Sequence, residues 1–261
     1  MSVTGTGRER TEVIIRLRAA GCVFAEEEAD LLLRSVSTAA GLEDRMRRRE
    51  AGEPLELILG FAVFDGIRLR VGAGVFVPRR RSVLLAREVV SDLGPGATYL
   101  DLCTGTGAIA AAVRAQRPDL QVLASDIDRR AVQCAQENLP GCWVGTGDLF
   151  DAVPGDLRGG LDAITVNAPY VPVAELARLP REAREYEPPH SLLGGADGLD
   201  VHRRVVAVLE DWLSAAGFAV LEVGEPQCRS LAEVCTRAGL VTDLLRGDEG
   251  GFAVRACRRR R

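Results

Sequence analysis

The pattern of apolar and polar positions divides the chain into a helical beginning and a longer region of alternating strands and helices. Apolar residues recur at helical spacing over 9–20 and 25–40, so two or three short helices are expected at the N-terminus. Next, Asp65-Gly66 stands between two β-prone runs and predicts a tight hairpin turn. From about residue 96 the pattern changes again.

This second region predicts an α/β fold. Strands are predicted at 98–102, 121–126, 142–147, 162–167, 218–224, 240–246 and 251–257, and amphipathic helices at 107–116, 128–138, 199–215 and 226–238. Strands that alternate with helices form a doubly wound, mostly parallel, Rossmann-like sheet, here with seven strands. The short connection before the last strand predicts an antiparallel hairpin at the sheet edge.

Composition narrows the class of protein without changing this fold. A chain of 261 residues with 47% hydrophobic content suits one large α/β domain, or a domain of ordinary size with a smaller appendage. The first residues contain no apolar signal-peptide core, and no segment approaches about eighteen uninterrupted apolar residues. We expect a soluble, cytoplasmic protein without a membrane partner.

Residue counts exclude several kinds of chemistry. All 33 basic residues are arginine, which excludes a Schiff-base lysine and a P-loop lysine. The seven cysteines form no C-x-x-C pair and only two histidines occur, so neither a disulfide framework nor a metal site is expected. The net charge of −4 argues against general polyanion binding, and the arginine runs at 45–49, 78–82 and 258–261 are interpreted as solvated surface.

A glycine-rich turn follows the first strand of the α/β region, in "DLCTGTGAIA" (101–110). Gly105 and Gly107 let the backbone approach a ligand, and Ala110 lets the next helix pack close to the sheet. Asp126 ends the next strand nineteen residues after Gly107, where a carboxylate can accept both hydroxyls of a ribose. A cofactor of the nucleoside type is therefore expected.

The glycine pattern alone also fits a dinucleotide fingerprint, which would need a proton-handling residue nearby. The two histidines, His190 and His202, lie well downstream. By contrast, the ordered series D-x-C-x-G-x-G, Asp126, Gly147-Asp148 and "NAPY" (167–170) resembles the S-adenosylmethionine-dependent methyltransferases. That resemblance implies S-adenosylmethionine as cofactor and these candidate binding residues: Asp101, Cys103, Thr104, Gly105, Thr106, Gly107, Asp126, Asp148, Leu149 and Asn167.

The "NAPY" sequence has a chemical explanation. An amide or amino nitrogen is a poor nucleophile because its lone pair is delocalised, so an enzyme that methylates it should hold its N–H groups with acceptors. Asn167 offers its side-chain oxygen, and the carbonyl of Ala168 is held by Pro169, which favours an extended conformation before it. Tyr170 can pack against the planar group. These four residues are the candidate catalytic residues.

The motif is similar to the N-P-P-Y of amino- and amide-nitrogen methyltransferases, and the chain as a whole resembles the HemK/PrmC family of protein-glutamine methyltransferases. Residues 51–79, 185–206 and 221–227 look like that family's linker hairpin, its segment after the motif and its fifth catalytic strand. The resemblance implies a class I methyltransferase that methylates a glutamine amide in a release factor, at its GGQ motif, or in a ribosomal protein.

The same resemblance implies three parts: an N-terminal helical substrate-docking domain (1–54), a β-hairpin linker (55–78) and a methyltransferase domain (79–261). Two positions depart from the family pattern. Ala168 replaces the usual proline but keeps the carbonyl, and "PRRRS" (78–82) replaces a segment that usually carries an acidic residue and threonine.

Two other functions fit parts of the sequence. A similar motif serves enzymes that methylate nucleobase amino groups, but 5% aromatic content and net negative charge fit nucleic-acid binding poorly, so no nucleic-acid partner is expected. A non-catalytic cofactor-binding module that recruits partners through its N-terminal helices is the other alternative. An intact Asn167 argues against that module.

Overall fold

Helices form the N-terminal part of the protein in the computed structural model, which describes residues 7–259. The helices are α1 (Gly7–Ala19), α2 (Ala25–Arg34), α3 (Ala39–Glu50) and α4 (Leu55–Leu59). Leu17, Leu32 and Met46 are fully buried in a small hydrophobic core that these helices share. Residues 1–6 of the predicted docking domain, and Arg260 and Arg261 of the terminal arginine run, lie outside the described residues.

The region 25–40, whose apolar spacing predicts helix, contains the boundary between two helices. Helix α2 ends at Arg34, and α3 begins only after Thr38, whose side chain accepts a hydrogen bond from the backbone N–H of Gly41 at 3.1 Å. Ser35 also turns its hydroxyl back onto the carbonyl of Leu32. Hydroxyl side chains form hydrogen bonds with backbone groups that would otherwise pair within a helix, so serine and threonine favour helix ends over helix interiors.

The predicted hairpin is present. Strands β1 (Phe61–Phe64) and β2 (Ile67–Arg70) pair in antiparallel fashion around Asp65 and Gly66, whose φ angles are 46° and 78°. Two successive positive φ angles are typical of the tight turns that join twisted strands. Phe64 and Leu69 are buried in the same hydrophobic core as residues of the first two α-helices after the hairpin, so the hairpin packs on the α/β region.

A seven-stranded sheet forms the rest of the described chain, as predicted. Its strands are β3 (Thr98–Leu102), β4 (Gln121–Asp126), β5 (Trp143–Thr146), β6 (Leu161–Val166), β7 (Leu213–Glu222), β8 (Val241–Arg246) and β9 (Phe252–Cys257). Its helices are α5 (Val83–Asp92), α6 (Ala108–Gln116), α7 (Arg129–Asn138), α8 (Arg181–Tyr186), α9 (Pro189–Leu192), α10 (Asp200–Trp212) and α11 (Cys228–Arg237). The strand order is β5-β4-β3-β6-β7-β9-β8, with β9 antiparallel to both of its neighbours.

Side chains of the central strands alternate between two hydrophobic cores. On β3, Leu100 and Leu102 belong to one core and Tyr99 to the other; on β6, Ile164 and Ala163 divide in the same way. Successive residues of a strand point to opposite faces, so helices must cover both faces of this sheet.

The order of the strands fixes where a ligand can bind. Strand β3 pairs in parallel with β4 on one side and with β6 on the other. The chain therefore builds β4 and β5 on one side of β3 and then crosses to the other side to form β6. In open α/β sheets the loops diverge at such a switch point and leave a crevice at the carboxyl ends of the strands.

Candidate functional site

A cavity of about 300 Å³ occupies this crevice. Its floor is formed by the loop after β3, the end of β4 and the residues after β6. Two further segments, 74–82 and 179–192, form its outer wall. The cavity therefore contains both the glycine-rich turn and the "NAPY" motif, which the sequence separates by about sixty residues.

The turn after β3 is held by backbone hydrogen bonds to the neighbouring strand. Thr104 N–H donates to the carbonyl of Ser125 at 3.0 Å, and Gly105 N–H donates to Oδ2 of Asp126 at 2.8 Å. Gly105 has a φ of 57°, and no heavy atom lies within 4 Å of the position that a Cβ would take. Its backbone is therefore open to the cavity, where a ligand can approach it closely.

Asp101 lies beneath this turn. Its carboxylate accepts hydrogen bonds from the hydroxyls of Thr104 and Thr165, at 2.6 and 2.7 Å, and from the N–H of Ala110. Burial raises the pKa of Asp101 to about 6, although these hydrogen bonds lower it. The geometry gives Asp101 the task of bracing the turn, since it does not line the cavity.

Asp126 ends β4 at the cavity wall. Its two carboxylate oxygens accept hydrogen bonds from the N–H groups of Gly105 and Asp128, at 2.8 and 2.9 Å. Burial raises the pKa of Asp126, and these two backbone donors act in the opposite direction. The next side chain, Ile127, is 60% exposed and lines the cavity.

Three other predicted cofactor residues do not line the cavity. Gly107 packs against helix α7, where a Cβ would come within 3.1–3.3 Å of Leu139 and Ala135. Asp148 accepts a hydrogen bond from Arg204 at 2.6 Å, and Leu149 beside it has a φ of 51°. By contrast, Cys103, Thr104 and Thr106 do line the cavity.

The residues after β6 form the second polar wall. The Nδ2 of Asn167 donates a hydrogen bond to Oγ of Ser82 at 3.1 Å. Among residues 7–259, no donor reaches Oδ1 of Asn167, which leaves this oxygen available to a ligand. Ala168 is 2% exposed and belongs to the core, and Ala168 and Pro169 both line the cavity.

Tyr170 is held by two charged residues. Its hydroxyl accepts a hydrogen bond from Nη2 of Arg81 at 2.7 Å and donates one to Oε1 of Glu222 at 3.2 Å. Burial and the neighbouring Glu222 carboxylate raise the pKa of Tyr170 to about 12. The phenol therefore stays protonated near neutral pH and serves as a fixed wall of the cavity.

The backbone of Tyr170 is held by a glycine loop that the sequence did not mark as part of the site. Gly198 has a φ of 82°, and a Cβ there would stand 2.1 Å from the carbonyl oxygen of Tyr170. Nε2 of Gln227 donates hydrogen bonds to the carbonyls of Tyr170 and Asp197, at 2.9 and 2.8 Å. Only glycine fits between these groups, so the loop fixes the direction of the chain after Pro169.

Known proteins with similar sequences decide the family. Residues 68–177 match the model of the methyltransferase small domain. A release factor glutamine methyltransferase of Mycolicibacterium smegmatis is 35% identical, over 78% of this chain and 74% of that protein. Another, of Bradyrhizobium diazoefficiens, is 30% identical over 90% of this chain and 87% of its own length.

The chain belongs to the release factor glutamine methyltransferase family. This confirms the predicted HemK/PrmC resemblance. The fold agrees, because a methyltransferase from Pyrococcus furiosus superposes with a TM-score of 0.55 at 15% identity, over 83% of this chain and 97% of that one. The protein is a methyltransferase, and S-adenosylmethionine is its cofactor.

The residues of the cavity fit that cofactor. A carboxylate at a strand end suits ribose hydroxyls, and Asp126 occupies that position with room for a ligand beside it. The open backbone at Gly105 and the exposed side chain of Ile127 adjoin it. Within the described residues no helix is long and apolar enough to cross a membrane.

Proposed function

We propose that this protein transfers a methyl group from S-adenosylmethionine to the side-chain amide nitrogen of a glutamine in a release factor. The names of its relatives support the substrate, and the available acceptor on Asn167, which lines the cavity, carries the proposal. When bound, S-adenosylmethionine supplies an electrophilic methyl group. The residues of the protein must then hold a weakly nucleophilic nitrogen in position.

Asn167 has the chemistry for this task. A primary amide nitrogen carries two N–H groups, and each needs an acceptor if the nitrogen lone pair is to be directed at one place. Oδ1 of Asn167 is one acceptor, because its amide nitrogen is already bound to Ser82. Such preorganised polar groups supply much of the rate enhancement in enzyme sites.

The carbonyl of Ala168 is the second acceptor in this proposal. Pro169 disfavours the helical conformation at Ala168, and the core packing of the Ala168 side chain restrains the same residue further. The ring of Tyr170, held by Arg81 and Glu222, lines the cavity next to this carbonyl. A planar amide would pack against it.

The cofactor side of the proposed site is formed by Cys103, Thr104, Gly105, Thr106 and Asp126, all of which line the cavity. Asp101 and Gly107 support this surface through the turn and through helix α7. Asp148 and Leu149 stand outside the cavity wall. A contact between Asp148 and the cofactor requires that Asp148 exchange its Arg204 partner for the cofactor.

The N-terminal helices are proposed as the docking domain (1–54) for the protein substrate, with 55–78 as linker and 79–261 as the catalytic domain. Arg49, which forms a buried ion pair with Glu28, also reaches Glu182 at 3.2 Å. Glu182 lines the cavity, so the helices contact the outer wall of the cavity. Val23 and Phe24, 83% and 66% exposed, offer apolar surface on the same helical region.

The direct test offers several possible acceptors in one assay. The protein and radiolabelled S-adenosylmethionine are incubated with each possible acceptor in a separate reaction: release factors, ribosomal proteins, tRNA and DNA. We expect label on a release factor, and loss of that label when Asn167→Ala replaces the wild-type enzyme. Label on a ribosomal protein or a nucleic acid, with none on any release factor, would overturn the proposed substrate.

A further inference from the structure

Glu222 is a buried carboxylate behind the "NAPY" motif. It ends β7 and is 1% exposed. The parallel register pairs Val166 with Leu221, so Glu222 stands beside Asn167 at the same edge of the sheet. Its Oε1 accepts hydrogen bonds from the hydroxyl of Tyr170 at 3.2 Å and from Nε of Arg81 at 3.3 Å.

Ser82 lies between this carboxylate and Asn167. It is 2% exposed, and its Oγ accepts the hydrogen bond from Nδ2 of Asn167. Oε2 of Glu222 has no partner at hydrogen-bonding distance within residues 7–259. The hydrogen of the Ser82 hydroxyl is not used in the bond with Asn167, and the nearby hydroxyl lowers the pKa of Glu222 against the larger effect of burial.

The unpartnered Oε2 of Glu222 and the unused hydroxyl hydrogen of Ser82 favour one direction for the hydrogen bonds. An ionised carboxylate only accepts, and a serine hydroxyl has one hydrogen to donate. When that hydrogen points to Glu222, Oγ of Ser82 must accept from Asn167, which turns Nδ2 inward and Oδ1 toward the cavity. With the opposite direction, Asn167 would present N–H groups to the cavity, where an amide substrate also presents N–H groups.

We propose that Glu222 and Ser82 are positioning residues that fix the side-chain amide of Asn167 with its oxygen toward the methyl acceptor. This inference rests on the proposed transfer to an amide nitrogen. Glu222 does not line the cavity, and Ser82 acts in this role through its bond to Asn167. Through its bond to Tyr170, Glu222 positions both polar side chains of the motif.

The test uses near-isosteric variants of both residues. In Glu222→Gln, Nε of Arg81 can only donate, so the glutamine oxygen must face Arg81 and its NH₂ group must face Ser82. This reverses the direction of the hydrogen bonds. Single-turnover methylation of a release factor at saturating substrate should slow about 10- to 100-fold in Glu222→Gln and in Ser82→Ala, as for other residues that orient catalytic groups.

Two variants serve as controls. Ser82→Thr keeps the hydroxyl and should restore most of the rate lost in Ser82→Ala. Asp162→Asn removes a carboxylate at the opposite end of β6, where it accepts from Thr98 N–H and Ser214, and should leave the rate unchanged. Binding of S-adenosylmethionine, measured by calorimetry, should stay within about twofold of wild type in all four variants.

An Asn167→Ala background separates positioning from a general structural effect. There, Ser82→Ala should cause almost no further loss of rate, and Glu222→Gln a much smaller loss than in wild type, because the Asn167 amide is gone and only the bond of Glu222 to Tyr170 remains to be lost. Equal losses in both backgrounds, or no loss in the wild-type background, would overturn the proposal. So would a Ser82→Thr variant as slow as Ser82→Ala.

A second measurement does not depend on the substrate. Exchange of the Asn167 side-chain amide protons with water, followed by NMR and assigned by their absence in Asn167→Ala, should accelerate in Ser82→Ala and Glu222→Gln and return to the wild-type rate in Ser82→Thr. Unchanged exchange in the first two variants contradicts the proposal. If wild type methylates no release factor, the proposed function fails, and this measurement still decides the role of Glu222.

Discussion

At the scale of the residue, Asp126 and Asn167 divide the cavity between a cofactor side and an acceptor side. Both oxygens of Asp126 already accept backbone hydrogen bonds, which hold the carboxylate at the end of β4. Asn167 has the complementary arrangement, because its Nδ2 donates to Ser82 while its Oδ1 is available to a ligand. The two residues should therefore affect different steps when they are replaced.

Replacement of Asp126 should weaken cofactor binding. Asp126→Ala removes a charged acceptor for ribose hydroxyls, which is worth roughly 2–3 kcal/mol, or about 30- to 150-fold in affinity. Titration calorimetry with S-adenosylmethionine measures this loss, and circular dichroism confirms that the variant is folded. Unchanged affinity in a folded variant would remove Asp126 from the cofactor site.

The sequence marks these two residues because each follows a strand within an ordered series of motifs. It does not mark Glu222, since a single acidic residue after an apolar strand looks like an ordinary strand end. Ser82 and Gln227 lie in segments that enter the family comparison, but their contacts with the motif cannot be seen from the sequence, since they reach it from distant parts of the chain. Only the register of β6 and β7 and the path of the 74–82 segment bring them together.

At the scale of the element, helix α10 packs against β7 through a buried histidine. Nε2 of His202 donates a hydrogen bond to the backbone carbonyl of Glu222 at 2.9 Å, and Nδ1 has no partner within the described residues. The ring is fully buried, and burial lowers the pKa of His202 to about 4. The histidine is therefore neutral in the folded protein and supports the strand that carries Glu222.

This buried ring should make stability depend on pH. The unfolded chain takes up a proton near pH 6.5, whereas the folded protein takes it up only near pH 4. The free energy of unfolding should therefore fall as pH decreases through this window, by about 3 kcal/mol from this group. Above pH 6.5 both states are neutral, and the histidine contributes no pH dependence.

His202→Gln isolates the effect, because glutamine keeps a donor for the Glu222 carbonyl and does not titrate. Urea unfolding at pH 7 and at pH 4.5 measures the two free energies. The free energy of unfolding should change less between pH 7 and pH 4.5 in the variant than in wild type, by most of the about 3 kcal/mol that His202 contributes. An equal difference in wild type and variant would mean that His202 is not the titrating group.

Most element types were predictable from periodicity, but several boundaries were not. Strand β7 begins at Leu213, five residues before the predicted start at 218, because an irregular register against β6 lets the chain pair earlier. The division between α2 and α3 depends on Ser35 and Thr38, whose capping bonds outweigh the apolar spacing. Both differences arise from local hydrogen bonds that an apolar pattern does not encode.

At the scale of the whole molecule, the N-terminal helices contact the outer wall of the cavity. Their hydrophobic core is separate from the two cores of the sheet, and Arg49 links them to Glu182. The sequence predicts the helices, but it cannot give this placement, since the contact joins residues more than one hundred positions apart. The apolar residue Phe24 remains exposed on this region.

Phe24→Ser tests whether this surface docks the substrate. We expect KM for a release factor to rise roughly 10-fold with kcat little changed, because docking adds binding energy without touching the reacting group. Leu244→Ser, at a 55% exposed position on the edge strand β8, is the matched control and should leave KM unchanged. Equal KM values for Phe24→Ser and wild type would exclude this surface from docking.

The central claim is that this cavity directs a methyl group to a glutamine side-chain nitrogen through Asn167. Tandem mass spectrometry of a release factor after single-turnover reaction with S-adenosylmethionine measures both the position and the rate of transfer. We predict one methyl group on one glutamine side chain, formed on the order of 10²–10³ times more slowly by Asn167→Ala. A methyl group on another residue type, or an equal rate with Asn167→Ala, would contradict the claim.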